Sequence, residues 1–149
     1  MLVMLKHLSP LLTPELLHGL ACMGHGDDVA VVDANFPAYR IARMAGVNCI
    51  QLPGLSSSEV LGAILQVLPL DDFEDHCAWT MQVVGDAAQT PEAVAEFKEL
   101  IATHSAQPLH SLERFAFYRQ AQSASLVVQT GDLRKYANVL LRKGVISTD

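Results

Sequence analysis

The strongest constraint on the fold of this chain is a short run of β-favouring residues, Val29-Ala30-Val31-Val32, with an aspartate at each end. A strand with one face in water alternates apolar and polar residues, whereas this run is apolar throughout, which is typical of a strand covered on both faces. Such strands are found mainly in parallel sheets with helices on both sides. Asp33 then follows the carboxyl end of the strand, where open α/β sheets bind their ligands.

Helix starts and further strands alternate along the rest of the chain. Capping patterns predict helix starts at Thr13-Pro14-Glu15, Ser56-x-x-Glu59, Thr90-Pro91-Glu92 and Ser111. Gly24 and Gly26 are expected to end the first helix, because glycine readily adopts the left-handed conformation there. Further strands are predicted over residues 47–52, 79–84, 107–110, 126–128 and 136–141. The alternation predicts an α/β fold in a single domain over residues 1–149, with a mostly parallel sheet flanked by helices.

The charge content of the chain indicates which kinds of partner it can bind. The formal net charge is −6, and only 17% of the residues are charged. A protein that binds nucleic acid or anionic lipid needs clustered Lys and Arg, so neither nucleic acid nor a membrane is expected as a partner. The low charge content favours self-association into a homo-oligomer, and the charge balance favours a small neutral or cationic ligand.

The cellular compartment is predicted from the cysteines and the first residues of the chain. Cys22, Cys49 and Cys77 are too far apart for a redox pair and are expected to be reduced, buried thiols. Residues 1–12 are apolar but contain a lysine, a histidine and a proline, and they lack a small-residue cleavage site. No apolar run reaches the roughly 20 residues that cross a bilayer. A cytoplasmic protein is therefore expected.

The densest polar cluster is Gly24-His25-Gly26-Asp27-Asp28, and Asp33 follows one strand later. Imidazole titrates near neutral pH, so a histidine placed between two glycines is suited to transferring protons. We expect the turn and the strand end to converge on one rim, with His25 and Asp33 in one site. The competing interpretation makes His25 an exposed turn residue and the two aspartates of the cluster turn and cap residues.

Two later segments carry groups that suit a sugar. Arg114-Phe115-Ala116-Phe117-Tyr118 places a cation beside three aromatic rings, and Tyr136-Ala137-Asn138 offers a phenol, backbone groups and an amide. The C–H face of a sugar packs on aromatic rings, while its hydroxyls need directed hydrogen bonds. By pattern alone, the first segment also fits a packed helix face with one snorkelling arginine, and the second fits an ordinary strand start.

Sequence motifs for metal, nucleotide and hydrolase chemistry are absent. A metal site built from His25, Asp33 and another histidine lacks support from H-x-x-x-H, H-E-x-x-H or Cys–His spacing. No G-x-S-x-G elbow of a serine hydrolase occurs, and no G-x-G-x-x-G or P-loop pattern offers a nucleotide an anchor. No cofactor and no metal are therefore predicted.

Five segments spread over almost the whole chain resemble the family that contains L-fucose mutarotase and ribose pyranase. They are SPLLTPELL (9–17), MGHGD (23–27), DANFPA (33–38), RFAFY (114–118) and YANVLLRKGV (136–145). The GHGD, DANFP and RFAFY forms look like the fucose branch, although Ala137 stands where fucose-type members often have glycine. The resemblance implies a ribose pyranase-like fold and a toroidal decamer with its sites near subunit boundaries.

The resemblance also implies a function for the chain. It predicts a cofactor-free isomerase that interconverts the anomers of a monosaccharide, in the first place L-fucose. His25 is the implied proton donor, and the implied sugar-binding residues are Asp33, Arg114, Tyr136, Ala137 and Asn138. Two alternatives remain open, namely conversion of ribose between its pyranose and furanose forms and a sugar-binding module without catalysis.

Overall fold

The computed structural model describes residues 5–148, which contain five helices and six strands that alternate as far as β5, with β6 following directly. Their bounds are α1 Pro14–Cys22, β1 Asp28–Val32, α2 Ala38–Ala45, β2 Cys49–Leu52, α3 Ser57–Leu65, β3 Ala78–Met81, α4 Glu92–Ala102, β4 His110–Leu112, α5 Arg114–Ala121, β5 Leu126–Thr130 and β6 Val139–Arg142. None of the helices in this range is both long and apolar enough to cross a membrane.

The six strands form one sheet in the order β2-β5-β1-β6-β3-β4. Strands β2, β5 and β1 are parallel to one another, β3 and β4 are parallel, and β6 runs antiparallel to both of its neighbours, β1 and β3. The predicted α/β fold with a mostly parallel sheet is confirmed. Because β6 runs in the opposite direction, its amino end lies at the same edge as the carboxyl ends of β1 and β3.

Strand β1 lies inside the sheet, and all five of its residues are buried. Val29 and Val31 belong to a core that includes buried residues of α1, α3 and α4. Ala30 and Val32 belong to a second core, which includes buried residues of α2 and α5. The continuous apolar run follows from this position, because successive side chains of a strand point to opposite faces of the sheet.

Two helix starts form as predicted. Thr13 Oγ1 accepts a hydrogen bond from the Leu16 backbone amide at 3.2 Å. Ser56 and Glu59 make both hydrogen bonds of a capping box, at 3.1 and 3.2 Å. In both cases the partners lie three residues apart in sequence, so the local pattern determines where α1 and α3 begin.

The other two predicted caps, Thr90 and Ser111, are wrong. Helix α4 begins one residue later than predicted, with Pro91 at the N-cap position, because the Pro91 carbonyl accepts the first helical hydrogen bond. Ser111 instead lies in β4, where it pairs with Thr80 of β3. Strand β4 runs from His110 to Leu112, so it overlaps the predicted strand over residues 107–110 only at His110. Glu113 caps α5 instead, since its carboxylate accepts hydrogen bonds at 3.0 and 3.2 Å from the amides two and three residues further on.

The end of α1 and the start of β6 also differ from the prediction. Helix α1 stops before Met23, which is already extended, with φ of −71° and ψ of 138°. Gly24 therefore does not end the helix, and Gly26 has the left-handed backbone, with φ of 87°. Strand β6 begins at Val139 rather than at residue 136, because Tyr136 has φ of 63°, far from any strand conformation.

All three cysteines are free thiols, as predicted. The prediction that all three are buried is correct only for Cys77. Cys77 is buried, Cys49 is half-buried and Cys22 is exposed on α1. Burial raises the pKa of the Cys77 thiol. That thiol is therefore protonated and chemically quiet at neutral pH.

Candidate functional site

A cleft of about 400 Å³ opens at the sheet edge where β1 and β3 end and β6 begins. Its walls include Asp33, which follows β1, Arg114, which begins α5, and Tyr136 and Asn138, which precede β6. The reversed direction of β6 brings these segments together although they are far apart in sequence. Four of the residues implied by the resemblance thus share one cleft, whose volume lies within the usual range for small-molecule sites.

Asp33 is the buried acid of this cleft, with 3% of its surface exposed. Its Oδ1 accepts a hydrogen bond from the Asn35 amide at 2.9 Å, and its own amide donates to Asn138 Oδ1 at 2.8 Å. Burial raises the pKa of Asp33, and hydrogen bonds from backbone amides and Asn138 offset this shift only in part. Within residues 5–148 no basic side chain pairs with it. Its carboxyl therefore lines the cleft without a basic partner from the described part of the chain.

Tyr136 and Asn138 line the cleft, whereas Ala137 between them is fully buried and does not line it. Tyr136 has left-handed φ, and its hydroxyl accepts a hydrogen bond from the Val84 amide at 3.0 Å, which ties it to the loop after β3. The carbonyl of the fully buried Ala137 accepts a hydrogen bond from Ser57 Oγ at 2.7 Å. A disfavoured backbone held from two sides is a feature that often accompanies functional sites.

The first turn of α5 contributes a cation and a ring. Arg114 Nε donates a hydrogen bond to the Tyr118 hydroxyl at 3.3 Å, and the guanidinium lies 5.3 Å from the centre of the Phe115 ring. Phe117, by contrast, is fully buried and belongs to the core. The segment therefore serves both as a packed helix face, through Phe117, and as a wall of the cleft, through Arg114 and Tyr118.

Lys135 also lines the cleft, and the sequence prediction does not include it. It lies in an irregular segment and is exposed, so no periodicity or motif distinguishes it from other surface lysines. Together with Arg114 it gives the cleft two basic side chains beside the carboxyl of Asp33.

His25 lies at the opposite edge of the sheet, in the turn that joins α1 to β1. The Gly26 amide donates to the Lys143 carbonyl at 2.9 Å, and the Lys143 ammonium donates to the Met23 carbonyl at 2.9 Å. Asp27 accepts a hydrogen bond from the Gly24 amide at 2.7 Å and closes the turn, as expected for a turn residue. These contacts fasten the histidine turn to the chain just beyond β6.

The imidazole of His25 has a carboxylate partner that the sequence prediction misses. His25 Nε2 lies 3.0 Å from Asp71 Oδ1, and the His25 and Phe73 rings have centroids 4.5 Å apart. The Asp71 side chain is 3% exposed, whereas that of His25 is 43% exposed. No local pattern relates two residues that are 46 positions apart in sequence.

The expectation that His25 and Asp33 share one rim is wrong within a single chain. They flank the two ends of β1, whose five residues span about 17 Å at the usual rise per residue. A metal site that contains both residues of one chain is excluded for the same reason. The candidate functional side chains of one chain therefore fall into two separate groups, which we call the cleft (Asp33, Arg114, Tyr136 and Asn138) and the histidine turn (residues 24–27).

Comparisons with known proteins agree with the fold and with the segments that carry the resemblance. The model of the RbsD / FucU transport protein family matches residues 6–146. FucU from Bifidobacterium longum is 41% identical, with a TM-score of 0.86 over 95% of this chain and 100% of that chain. The fucose mutarotase of Streptococcus pneumoniae, solved in complex with L-fucose, is 33% identical, with a TM-score of 0.87 over 96% of this chain and 100% of that chain.

A more distant structure has the same fold. Bacillus subtilis RbsD, solved in complex with D-ribose, is 24% identical, with a TM-score of 0.75 over 97% of this chain and 100% of that chain. The family match covers nearly the whole chain, and the sequence similarity to FucU extends over the same length. The chain belongs to the RbsD/FucU family.

Proposed function

We propose that the chain is a cofactor-free isomerase that interconverts the anomers of a monosaccharide, with L-fucose as the first candidate substrate. The observation that carries this proposal is the cleft, where a buried carboxyl, a guanidinium, a phenol and an amide surround a space that fits a monosaccharide. Membership of the RbsD/FucU family supports this reaction class, since its members include a fucose mutarotase at 33% identity.

The cleft combines polar groups with apolar walls. The rings of Phe36 and Tyr118 meet edge to face with centroids 5.4 Å apart, and Met81 adds a further apolar side chain. Such walls suit the C–H face of a sugar, while Asp33 and Asn138 supply directed hydrogen bonds to its hydroxyls. L-Fucose carries a methyl group where other hexoses carry a hydroxymethyl group, which favours a site with apolar walls.

Anomer interconversion breaks the bond between C1 and the ring oxygen and forms it again on the other face of C1. The ring oxygen gains a proton while the anomeric hydroxyl loses one, which gives the open-chain aldehyde. Rotation about the C1–C2 bond and the reverse proton transfers then give the other anomer. The atoms and electrons of substrate and product are the same, so the reaction needs an acid and a base but no oxidant.

In this mechanism His25 gives the proton to the ring oxygen and takes it back on closure, while a water molecule accepts the proton of the anomeric hydroxyl and returns it on closure. Asp33 accepts a hydrogen bond from a sugar hydroxyl, and the remaining hydroxyls are held by Arg114, Tyr136, Asn138 and the backbone of Ala137. A positioned acid or base contributes about 10²–10⁴-fold to a rate. That contribution is sufficient for a reaction that already proceeds in water.

Because the histidine turn and the cleft lie at opposite edges of one chain, the mechanism requires a second copy. Phe73 beside the histidine turn is 70% exposed, and Phe115 and Val84 beside the cleft are 57% and 62% exposed. Exposed apolar side chains at both places are typical of surfaces that another protein covers. A ring in which each copy gives His25 to the cleft of the next satisfies every site, and the toroidal decamer that the resemblance implies could contain such rings.

Two other functions would use the same cleft. Ribose pyranase activity, the pyranose–furanose conversion, uses the same ring opening and differs only in which hydroxyl closes the ring. A sugar-binding module without catalysis needs the cleft alone, and the cleft is complete in one chain. The first alternative predicts exchange between ring sizes of ribose, and the second predicts sugar binding without faster exchange.

Saturation-transfer NMR on L-fucose, D-ribose and other monosaccharides tests the proposal directly. We expect the protein to accelerate anomer exchange, most strongly for L-fucose, and the His25→Gln variant to lose most of this acceleration. Acceleration of ring-size exchange in ribose alone selects the pyranase function. Binding of a sugar with no acceleration of any exchange contradicts the proposal and selects the binding module.

A further inference from the structure

A fully buried serine lies behind the wall of the cleft. Ser57 is the first residue of α3, and none of its surface is exposed. Its Oγ donates a hydrogen bond to the Ala137 carbonyl at 2.7 Å and lies 2.9 Å from Thr130 Oγ1. The capping box of α3 is formed by Ser56 and Glu59, so the helix start does not need the Ser57 hydroxyl. That hydroxyl is therefore free to act on residue 137.

The carbonyl that Ser57 holds lies between two side chains of the cleft. Ala137 is fully buried and belongs to the core that includes α3, so its carbonyl is shielded from water. A buried backbone carbonyl needs a hydrogen-bond partner, and within residues 5–148 the Ser57 hydroxyl is the side-chain donor that reaches it. Tyr136 and Asn138, on either side of Ala137, line the cleft. The direction of this one carbonyl therefore affects where both side chains point.

Asn138 extends the effect of this carbonyl to the acid of the cleft. Asn138 is 3% exposed, and its Oδ1 accepts the hydrogen bond from the Asp33 amide at 2.8 Å. Burial raises the pKa of Asp33, and the Ala137 amide and the Asn138 side chain are among the groups whose hydrogen bonds oppose this rise. The backbone at Ala137 is thus connected to the Ser57 hydroxyl on one side and to the carboxyl of the cleft on the other.

Ser57 is itself held in place by residues of β5 and the loop that follows it. Its amide donates to Asp132 Oδ2 at 3.0 Å, and Thr130 Oγ1, beside its hydroxyl, donates to the Val32 carbonyl at 2.9 Å. Val32 directly precedes Asp33 in the chain. These contacts join the start of α3 to the ends of β5 and β1 behind the cleft. A supporting group orients a site only when its own position is fixed, and Ser57 meets this condition.

We propose that Ser57 is a positioning residue for sugar binding, whose hydroxyl sets the direction of the Ala137 carbonyl and thereby holds Tyr136 and Asn138 in the cleft. The inference rests on the proposed function, since it assigns a support to the sugar-binding residues. Ser57 does not touch the sugar, and no proton moves to or from it during the reaction. Its loss is therefore expected to weaken sugar binding more than the proton transfer, which is assigned to His25.

The first test measures amide hydrogen exchange and needs no sugar. In Ser57→Ala we expect the Asp33 amide, which Asn138 protects, to exchange about tenfold faster relative to the Ala30 amide in the middle of the same strand. A general loss of stability exposes both amides, so their ratio reports only the local change. An unchanged ratio in Ser57→Ala overturns the proposal.

Ser58→Ala is the matched control for this test. Ser58 is the next residue of α3, and its hydroxyl donates to Glu96 of α4 rather than to a residue beside the cleft. The substitution therefore removes a hydroxyl from the same helix turn without touching residue 137. We expect the ratio of the Asp33 and Ala30 amides to stay at its parent value in this variant.

The second test measures the kinetics of anomer exchange. We expect Ser57→Ala to raise KM about tenfold, because it leaves a buried carbonyl unpaired, with kcat changed less than about twofold. Ser57→Cys keeps a weaker S–H donor at the same position, so its KM is expected to rise less than that of Ser57→Ala. Ser58→Ala is expected to keep both parameters. A merely structural role would lower the stability of Ser57→Ala and leave its KM at the parent value, and that result overturns the proposal.

The outcomes separate the role of Ser57 from the function itself. A wild-type protein that accelerates no sugar exchange contradicts the proposed function, and the amide ratio then decides whether Ser57 holds Asn138. A folded Ser57→Ala variant with the parent KM overturns the role of Ser57, even where the wild-type protein accelerates anomer exchange. If Ser57→Ala does not fold, the same measurements are made on Ser57→Cys, and parent values of the amide ratio and KM overturn the proposal.

Discussion

Asp33 and Asp132 follow the neighbouring parallel strands β1 and β5, and the Ala34 amide joins the two segments through a 2.9 Å hydrogen bond to the Asp132 carbonyl. Both side chains are buried, yet their pKa values shift in opposite directions. Burial raises the pKa of Asp33. Burial alone would also raise the pKa of Asp132, but hydrogen bonds from Arg134 and Ser57 outweigh it and lower that pKa. Asp132 is thus paired with Arg134, whereas Asp33 has no basic partner within residues 5–148.

The two acids predict opposite changes in stability. Because folding raises the pKa of Asp33, the protonated carboxyl favours the folded state. This stabilisation is fully present below pH 3.8, the ordinary pKa of an aspartate, and it is lost as the pH rises through the folded-state pKa. Asp33→Asn is therefore expected to raise the thermal unfolding midpoint at neutral pH by an amount on the order of a few degrees. Its sugar affinity is expected to fall.

Asp132→Asn is the matched control. Because folding lowers the pKa of Asp132, the ionised carboxylate favours the folded state. This stabilisation is fully present above pH 3.8, the ordinary pKa, and it is lost as the pH falls through the folded-state pKa. The substitution is expected to cost about 1.5–3 kcal/mol at neutral pH, because it weakens charged hydrogen bonds. Thermal unfolding at neutral pH and again at a pH below 3.8 checks both variants. A lower unfolding midpoint for Asp33→Asn at neutral pH contradicts this account.

Gly144 is predicted to matter for both stability and activity. An alanine side chain there would meet the Leu70 carbonyl oxygen at 2.5 Å and force apart the segments around residues 70 and 144, which approach closely. We expect Gly144→Ala to lower the free energy of unfolding by about 1–3 kcal/mol, as overpacking does. Because Asp71 follows Leu70, we also expect a slower anomer exchange.

Gly62→Ala is the matched glycine substitution. Gly62 lies within α3, and a Cβ there would meet no heavy atom within 4 Å. Alanine is the better helix former, so this variant is expected to gain about 0.5–1 kcal/mol. The unfolding midpoints and anomer exchange rates of Gly144→Ala and Gly62→Ala show whether only the first substitution is harmful. Equal stability of the two variants would mean that Gly144 is not required for the close approach.

His25 and Arg114 are predicted to affect different steps. His25→Gln removes the proton transfer and is expected to lower kcat about 10²-fold or more, with a much smaller loss of sugar affinity. Arg114→Ala removes a charged hydrogen bond to the sugar and is expected to weaken affinity first, by about tenfold. Exchange rates measured over a range of sugar concentrations separate the two effects. A His25→Gln protein that is folded and exchanges anomers at the parent rate contradicts the assigned role of His25.

Those parts of the fold that depend on neighbouring residues could be predicted from the sequence. Thr13 and Ser56 cap helices through partners three residues away, and the run at 29–32 forms a strand buried on both faces. Ser111 has an equally good capping side chain, but pairing with Thr80 places it in the sheet instead. A local pattern carries no information about such a partner, which is 31 positions away in the register.

The site could be predicted only in part, because some of its residues are brought together by contacts between distant parts of the sequence. The rule that ligands bind at the carboxyl ends of parallel strands identified the edge that contains Asp33. The presence of residues 136–138 at this edge depends on the antiparallel direction of β6, which the sequence does not reveal. The pairing of His25 with Asp71 depends on the close approach at Gly144, and no sequence spacing indicates it.

In the proposed mechanism each site takes His25 from one copy of the chain and the cleft from another. Two inactive variants test it, namely His25→Gln, which damages the histidine turn, and the double variant Asp33→Asn with Arg114→Ala, which damages the cleft. They are produced together with two different affinity tags, and oligomers that carry both tags are purified. Light scattering then gives the mass of these oligomers relative to a single chain.

The anomer exchange rate of the mixed oligomers is the decisive measurement. In random mixing at equal amounts, roughly a quarter of the sites receive an intact His25 from one copy and an intact cleft from its neighbour in the ring. We therefore expect mixed oligomers to recover about one quarter of the parent exchange rate, while each variant alone stays inactive. Mixed oligomers that are as inactive as either variant would contradict this mechanism, because a site built within one chain cannot be repaired by a second copy.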